Sequence, residues 1–188
     1  MERISMLNIL IDQLVPCLTH LATGKVVKTY VQQVTNKKEL KLYNSKNGWY
    51  VNWYKLSQNC TIYKLTVENS DEIQGLAAVH NDIEAKTMIF DWAVANPKSN
   101  KLLCDQKGVK QEYIGIGGHL FAIAINASIE AGYSGVILGH PANVNLMQHY
   151  IQELGAEIFP FGQGYQYTIV IWEEAAEKIR RIYHYENI

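Results

Sequence analysis

Residues 113–140 read YIGIGGHLFAIAINASIEAGYSGVILGH. Gly115, Gly117 and Gly118 stand at the head of a long apolar run, and a shorter glycine-flanked run, GVILGH, follows it. The lengths predict a buried helix over 117–131 feeding a strand over 135–140. Glycine is a poor helix former, so a cluster of glycines at the head of the most apolar helix needs a reason that only a missing Cβ supplies. A helix N-terminus presents unpaired N–H groups and partial positive charge. Glycines let another backbone or a ligand come close to those groups, which makes a setting for phosphate. The spacing is G-x-G-G, which is neither the dinucleotide fingerprint nor a P-loop. Two readings stay open: an anion site, or a tight turn with close helix–sheet packing. Replacing Gly117 by Val separates them: weaker anion binding with the fold retained is the expected result, and loss of folding would support the packing reading.

The segments around this turn organise the rest. CTIYKLTVE, IQGLAAVH and KTMIFDWAV read as three strands, with turns ENSDE and HNDIEA between them. Hairpin-length spacing makes the strands antiparallel neighbours. NPKSNKLLCDQKGVKQ, residues 96–111, is a polar loop in which Lys98, Lys101, Lys107 and Lys110 outnumber Asp105. After the central helix and its strand, Val144, Met147, Ile151 and Leu154 mark a second helix. Pro160, Gly162 and Gly164 mark a loop, YQYTIVIW a last strand, and EEAAEKIRRIYHY a charged C-terminal helix. Upstream, Leu7, Leu10, Ile11 and Leu14 suit a helix within residues 6–22 that Pro16 disturbs, or one that ends in a strand. LATGK turns into a strand VVKTYVQQV, and NKKELKLYNSKNG reads as a short solvated helix. The expected class is α/β (α+β): a mixed, mainly antiparallel sheet with helices on both faces.

Composition narrows the partners. The 188 residues are 48% hydrophobic, enough for a substantial core in one domain. Seventeen Lys and Arg against eighteen Asp and Glu give a charge of -1, which argues against nucleic acid bound through bulk charge. No apolar run approaches the roughly 18 residues of a membrane span. The N-terminus lacks the pattern of a signal peptide, so a cytoplasmic protein is expected. Cys17, Cys60 and Cys104 fit neither a disulfide framework nor a zinc knuckle, and no metal is expected.

The order of three antiparallel strands, basic loop, GIGGHL, buried helix, strand and N-x-x-L-x-x-H-Y resembles the GNAT superfamily of acyl-CoA-dependent N-acetyltransferases over roughly residues 60–172. Gly115, Gly117 and Leu120 match that family's [QR]-x-x-G-x-G/A-x-x-L. Asn143 and Tyr150 fall at the spacing of its N-x-x-A-x-x-[LF]-Y, with Leu146 and His149 replacing the alanine and the apolar residue. Glu112 takes the Gln/Arg position, leaving Gln111 or backbone amides to serve. Tyr150 lies five residues before Gly155, where the family usually has four, and Ala156 replaces an aromatic.

The resemblance implies acetyl-CoA as co-substrate. Its pyrophosphate would lie on the backbone of Ile114, Gly115, Ile116, Gly117, Gly118 and His119. The pantetheine arm and acyl carbonyl would lie along the N–H groups of Trp92, Ala93 and Val94, with Asn143 bonding the arm or only capping its helix. Asp91, on the strand face shared by Ile89 and Ala93, is the first candidate for base, and His140 at the end of GVILGH the alternative. Tyr150 is the candidate acid for the departing thiolate, unless it is core. His119 and Cys104 have no side-chain role in this reading. The acceptor would be a small-molecule or peptide amine. Glu68, Glu72, Asp82, Glu84 and Asp91 could rim its site or be only solvated turns. The implied domain is residues 1–188, with 1–50 a family-variable N-terminal part and 173–188 a C-terminal helix, and a homodimer is left open. The alternative is a non-catalytic CoA-binding sensor or interaction module of the same fold.

Overall fold

The computed structural model describes residues 5–160 and 167–183. The chain opens with strands β1 (Met6–Leu7), β2 (Leu18–His20), β3 (Lys25–Val27) and β4 (Thr29–Gln33). Two 3-10 turns, Lys37–Leu42 and Ser45–Asn47, lead to a short helix α1 (Trp53–Leu56). The expected strands then appear as β5 (Thr61–Val67), β6 (Gly75–Asp82) and β7 (Thr87–Ala95). Next come α2 (Lys101–Lys107), β8 (Tyr113–Ile114), the central helix α3 (Ile116–Glu130), β9 (Ile137–Gly139) and α4 (Val144–Leu154). β10 (Glu157–Ile158), β11 (Ile169–Ile171) and α5 (Glu173–Ile182) complete it. Gly162, Gly164 and the ends of the last strand and helix expected from sequence lie outside the described residues.

The main sheet runs β10-β11-β9-β7-β6-β5-β4, and β1 pairs with β7 away from that path. β4 to β7 are antiparallel, as their turns require, whereas β7 and β9 are parallel and joined through α3. A parallel pair needs such a crossover. β2, β3 and β8 form a small separate sheet.

Alternation along the strands divides the core. Val79, Phe90 and Ala93 pack with α3 in one cluster; Ile62, Leu76, Ala78, Trp92 and Val94 pack with Leu40, Trp49 and Trp53 in another. Helical turns thus cover both faces. Phe90 meets Phe121 edge-on at 5.1 Å, a favoured aromatic geometry.

Three local readings are revised. Residues 6–14 are extended rather than helical at Met6–Leu7, and form no helix. VVKTYVQQV divides into β3 and β4 at Lys28. The polar stretch 96–111 contains α2, started by Asn100, whose side chain accepts from Leu103 N–H, and ended by Gly108 in the left-handed region.

His119 is buried in α3, 1% exposed, with Nε2 3.3 Å from the Cys17 carbonyl. Burial lowers its pKa from 6.5 to about 4. The folded chain therefore holds this ring neutral while the unfolded chain protonates it. Stability from this group is present above pH 6.5 and is lost as pH falls toward about 4. At about 1.4 kcal/mol per pKa unit, the loss is on the order of 3 kcal/mol. Urea midpoints measured from pH 7 to 4 should fall accordingly. His119→Gln, less stable at pH 7, should flatten the curve, leaving the smaller contribution of His140, whose pKa burial also lowers.

Candidate active site

The glycine turn does receive a close backbone, but it is the chain's own. A Cβ on Gly117 would run into the carbonyl of Leu10, and one on Gly118 into Tyr183 Oη and the carbonyl of Gln13. Gly115 takes φ 103° as the N-cap of α3, a conformation suited to glycine. Its N–H donates to Asp12 Oδ1 at 2.8 Å. Gln111 Nε2, also bonded to the Ser99 carbonyl, lies 3.5 Å from Asp12 Oδ2. The anion on the helix head is thus a carboxylate of residue 12, and Gln111 rather than Glu112 faces it. The cavity left among Ile9, Leu10, Asp12, Asn100 and Gly117 is about 20 Å³, room for a single water.

The same segment fills the gap in the sheet. β7 and β9 pair only through Met88–Ile137, Ile89–Leu138 and Phe90–Gly139. Beyond those pairs β1 takes the place beside β7, with Met6 opposite Trp92 and Leu7 opposite Ala93. On its other edge, Leu7 N–H donates to the His140 carbonyl at 2.8 Å and Ala142 N–H to the Leu7 carbonyl at 3.0 Å. Leu7 is 1% exposed and packs so near Gly139 that a Cβ there would meet its Cδ1. The strand edge expected to hold a pantetheine arm at Trp92 and Ala93 therefore pairs with the N-terminal segment.

α4 secures the next residues. Tyr150 Oη donates to the Ile9 carbonyl at 2.7 Å and accepts from Ile9 N–H at 3.2 Å. His149 Nε2 accepts from Ile11 N–H at 2.9 Å. Tyr150 is wholly buried, and burial pushes its phenol pKa up. With residues 5–14 in place, its hydroxyl serves Ile9. Tyr150→Phe should leave that peptide's N–H and carbonyl buried without a partner. The expected loss is about 1–3 kcal/mol, read as a lower urea midpoint. Asn143 caps α4, its Oδ1 accepting from Leu146 N–H at 2.9 Å.

Asp91 does not share a face with Ala93. The β6–β7 register jumps from Ala78–Trp92 to Val79–Phe90, so Asp91 is the extra residue of a β-bulge. Phe90 and Ala93 both join the α3 cluster, and Trp92 the opposite one. Asp91, 1% exposed, takes His80 Nδ1 at 2.5 Å and the Cys60 thiol at 3.4 Å, both on Oδ2. Its Oδ1 is buried with no hydrogen-bond partner, and its carbonyl accepts from Ser5 Oγ at 2.9 Å. His140, at the end of β9, holds Thr168 Oγ1 at 3.1 Å. Burial lowers the His140 pKa, and the nearby Asp91 carboxylate partly opposes this.

Residues 6–12 touch several of the residues singled out from sequence: Trp92 and Ala93 pair with Met6 and Leu7, the His140 carbonyl accepts from Leu7 N–H, Tyr150 bonds Ile9, and Gly115 N–H donates to Asp12. Residues 5–14, His149, His80 and Cys60 are additions. His149, a polar residue at an apolar position of the family pattern, was the visible signal for one of them.

No family model matches the chain, and no curated protein matches it. Solved structures do. The ribosomal-protein-S18-alanine N-acetyltransferase from Escherichia coli is 11% identical with a TM-score of 0.49, covering 76% of this chain and 90% of that one. The IAA acetyltransferase from Bacillus cereus ATCC 14579 is 15% identical with a TM-score of 0.45, covering 77% and 99%. An acetyltransferase from Bacillus subtilis in complex with CoA is 15% identical with a TM-score of 0.43, covering 77% and 97%. All three are acetyltransferases. Among the described residues no helix is long and apolar enough to cross a membrane.

Proposed function

We propose that the protein is an acyl-CoA-dependent N-acyltransferase whose donor cleft is closed by its own residues 5–14, which must leave before the donor binds. One observation carries this reading. An extended chain lies hydrogen-bonded in the gap between β7 and β9, with a carboxylate following it on the N-terminus of α3. A pantetheine arm is also extended and carries amides, and a pyrophosphate is also an anion. The segment offers the same chemistry in the same order as the expected donor.

With the segment displaced, the N–H groups at Trp92–Val94 face the arm and polarise the acyl carbonyl. The α3 head and Gln111 face the phosphates. Tyr150 is released from Ile9 to protonate the departing thiolate. Asp91 is engaged by Cys60 and His80, so the base that takes the amine proton is His140. Acetyl-CoA is the donor and a small-molecule or peptide amine the acceptor.

A second reading has its own support. His149 and Tyr150 are fitted to the backbone of Ile11 and Ile9, which suits a segment that never leaves and a non-catalytic module. Thermal melting with acetyl-CoA, followed by turnover against an amine panel, decides between them. Binding at 100-fold over the dissociation constant stabilises by about 2.7 kcal/mol, less the free energy of displacing the segment. A raised midpoint with CoA release supports the transferase. No shift and no turnover at millimolar acetyl-CoA leaves the non-catalytic module.

A further inference from the structure

We propose that Cys60, His80 and Asp91 form a binding site for a zinc-class divalent cation. The proposal does not rest on the acyl-donor reading, because its observations are the three side chains themselves and the β6–β7 bulge.

Two strands and the residue leading into a third bring the ligands together. Cys60 immediately precedes β5, and the pairing of Thr61 with Val79 sets it beside His80 on β6. The bulge turns Asp91 toward both. One thiol, one imidazole nitrogen and one carboxylate oxygen lie within 4.8 Å of one another. Zinc–ligand bonds of about 2.0–2.3 Å place tetrahedral ligand atoms about 3.3–3.8 Å apart. The Cys60–Asp91 separation of 3.4 Å already matches that spacing. The tighter His80 contact opens by rotation of a side chain that is 28% exposed.

The buried Oδ1 of Asp91 is the second observation. A carboxylate 1% exposed with one oxygen unpartnered is an arrangement that ordinary packing avoids. A cation between the three side chains gives that carboxylate a full counter-charge. Charge closes as well. A divalent ion with a thiolate, a carboxylate and a neutral imidazole sums to zero, which a buried site favours. Binding requires the Cys60 thiol to release one proton to solvent. His80 binds through Nδ1 as the tautomer protonated on Nε2. Thiolate with imidazole selects zinc or cobalt over magnesium or calcium. Three protein ligands leave a fourth position for water or another small ligand.

The test uses the full chain, stripped with a chelator and titrated with Co²⁺, then with Zn²⁺ in competition. We expect one cobalt per chain, with the visible bands of a tetrahedral site and a near-ultraviolet thiolate-to-cobalt band, and displacement by zinc. Cys60→Ser, nearly isosteric, should abolish the thiolate band and weaken zinc by at least 100-fold. His80→Gln, at a partly exposed position, should weaken zinc by at least 10-fold with the circular dichroism of the parent. Absence of cobalt binding by the parent overturns the proposal. So does a Cys60→Ser chain with the parent's spectrum, or a His80→Gln chain with the parent's zinc affinity.

Discussion

Gly117→Val is expected to unseat residues 9–13 and to destabilise the protein, not merely to weaken a ligand. In the structure the missing Cβ faces the Leu10 carbonyl, and the next nearest atoms are the Leu10 carbonyl carbon and Ile11 Cδ1. Backbone cannot rotate aside as a side chain can. Gly117 is also inside the first turn of α3, whose residues Ile116 to Ile125 are all buried. Overpacking usually destabilises by about 1–3 kcal/mol, and a backbone clash at the junction of two elements belongs at or above the top of that range. Circular dichroism against urea should show either a midpoint lowered by that amount or no cooperative transition. Gly117→Ala, with the same Cβ and no branches, should show most of the effect. A valine variant as stable as the parent would mean that Leu10 does not lie against α3.

Leu7→Ala should destabilise the protein yet increase its affinity for acetyl-CoA. Leu7 is 1% exposed between β7 and β9, and truncating a buried leucine costs about 2–5 kcal/mol. The loss falls on the state with the segment seated, because in the displaced state Leu7 is out of the cleft. A donor that binds only the displaced state therefore gains what the seated state loses. At 1.4 kcal/mol per tenfold, even the lower figure raises affinity about 30-fold. Calorimetry on parent and variant reads this directly. Unchanged or weaker binding in Leu7→Ala would mean that the segment and the donor do not compete.

The central strands and helices were legible because their patterns are locally decisive. β5 to β7 alternate and are separated by turn residues, and α3 and α4 have helical length and stripe. The N-terminal segment was not. Leu7, Leu10, Ile11 and Leu14 have helical spacing, but the tertiary surroundings satisfy an extended backbone on both edges. Ala142 and the His140 carbonyl bond Leu7; Tyr150 and His149 bond Ile9 and Ile11. Such pairing overrides a local preference. The asparagine and glycine that bound α2 were present in the sequence, masked by its polar interior. The bulge at Asp91 follows from the relative register of two strands, so alternation within one strand could not show which face the carboxylate takes. The Cys60–His80–Asp91 group spans separations of 31 and 11 residues, on two strands and the residue before a third, and such spacing carries no metal signature. The glycine turn was read as a place where a phosphate or a packed backbone comes close. What approaches is residues 10–13, with Asp12 on the helix head.

Amide hydrogen exchange of the full chain, with and without saturating acetyl-CoA, tests the central claim most directly. Leu7, Ile9 and Ile11 donate their N–H groups to the His140 carbonyl, Tyr150 and His149, and these bonds must break if the donor takes the cleft. The account predicts that acetyl-CoA speeds exchange at these three amides by at least 10-fold, while the Gly115 amide, passed from Asp12 to a phosphate, stays protected. Acetyl-CoA bound at saturation with Leu7, Ile9 and Ile11 as protected as before would contradict it.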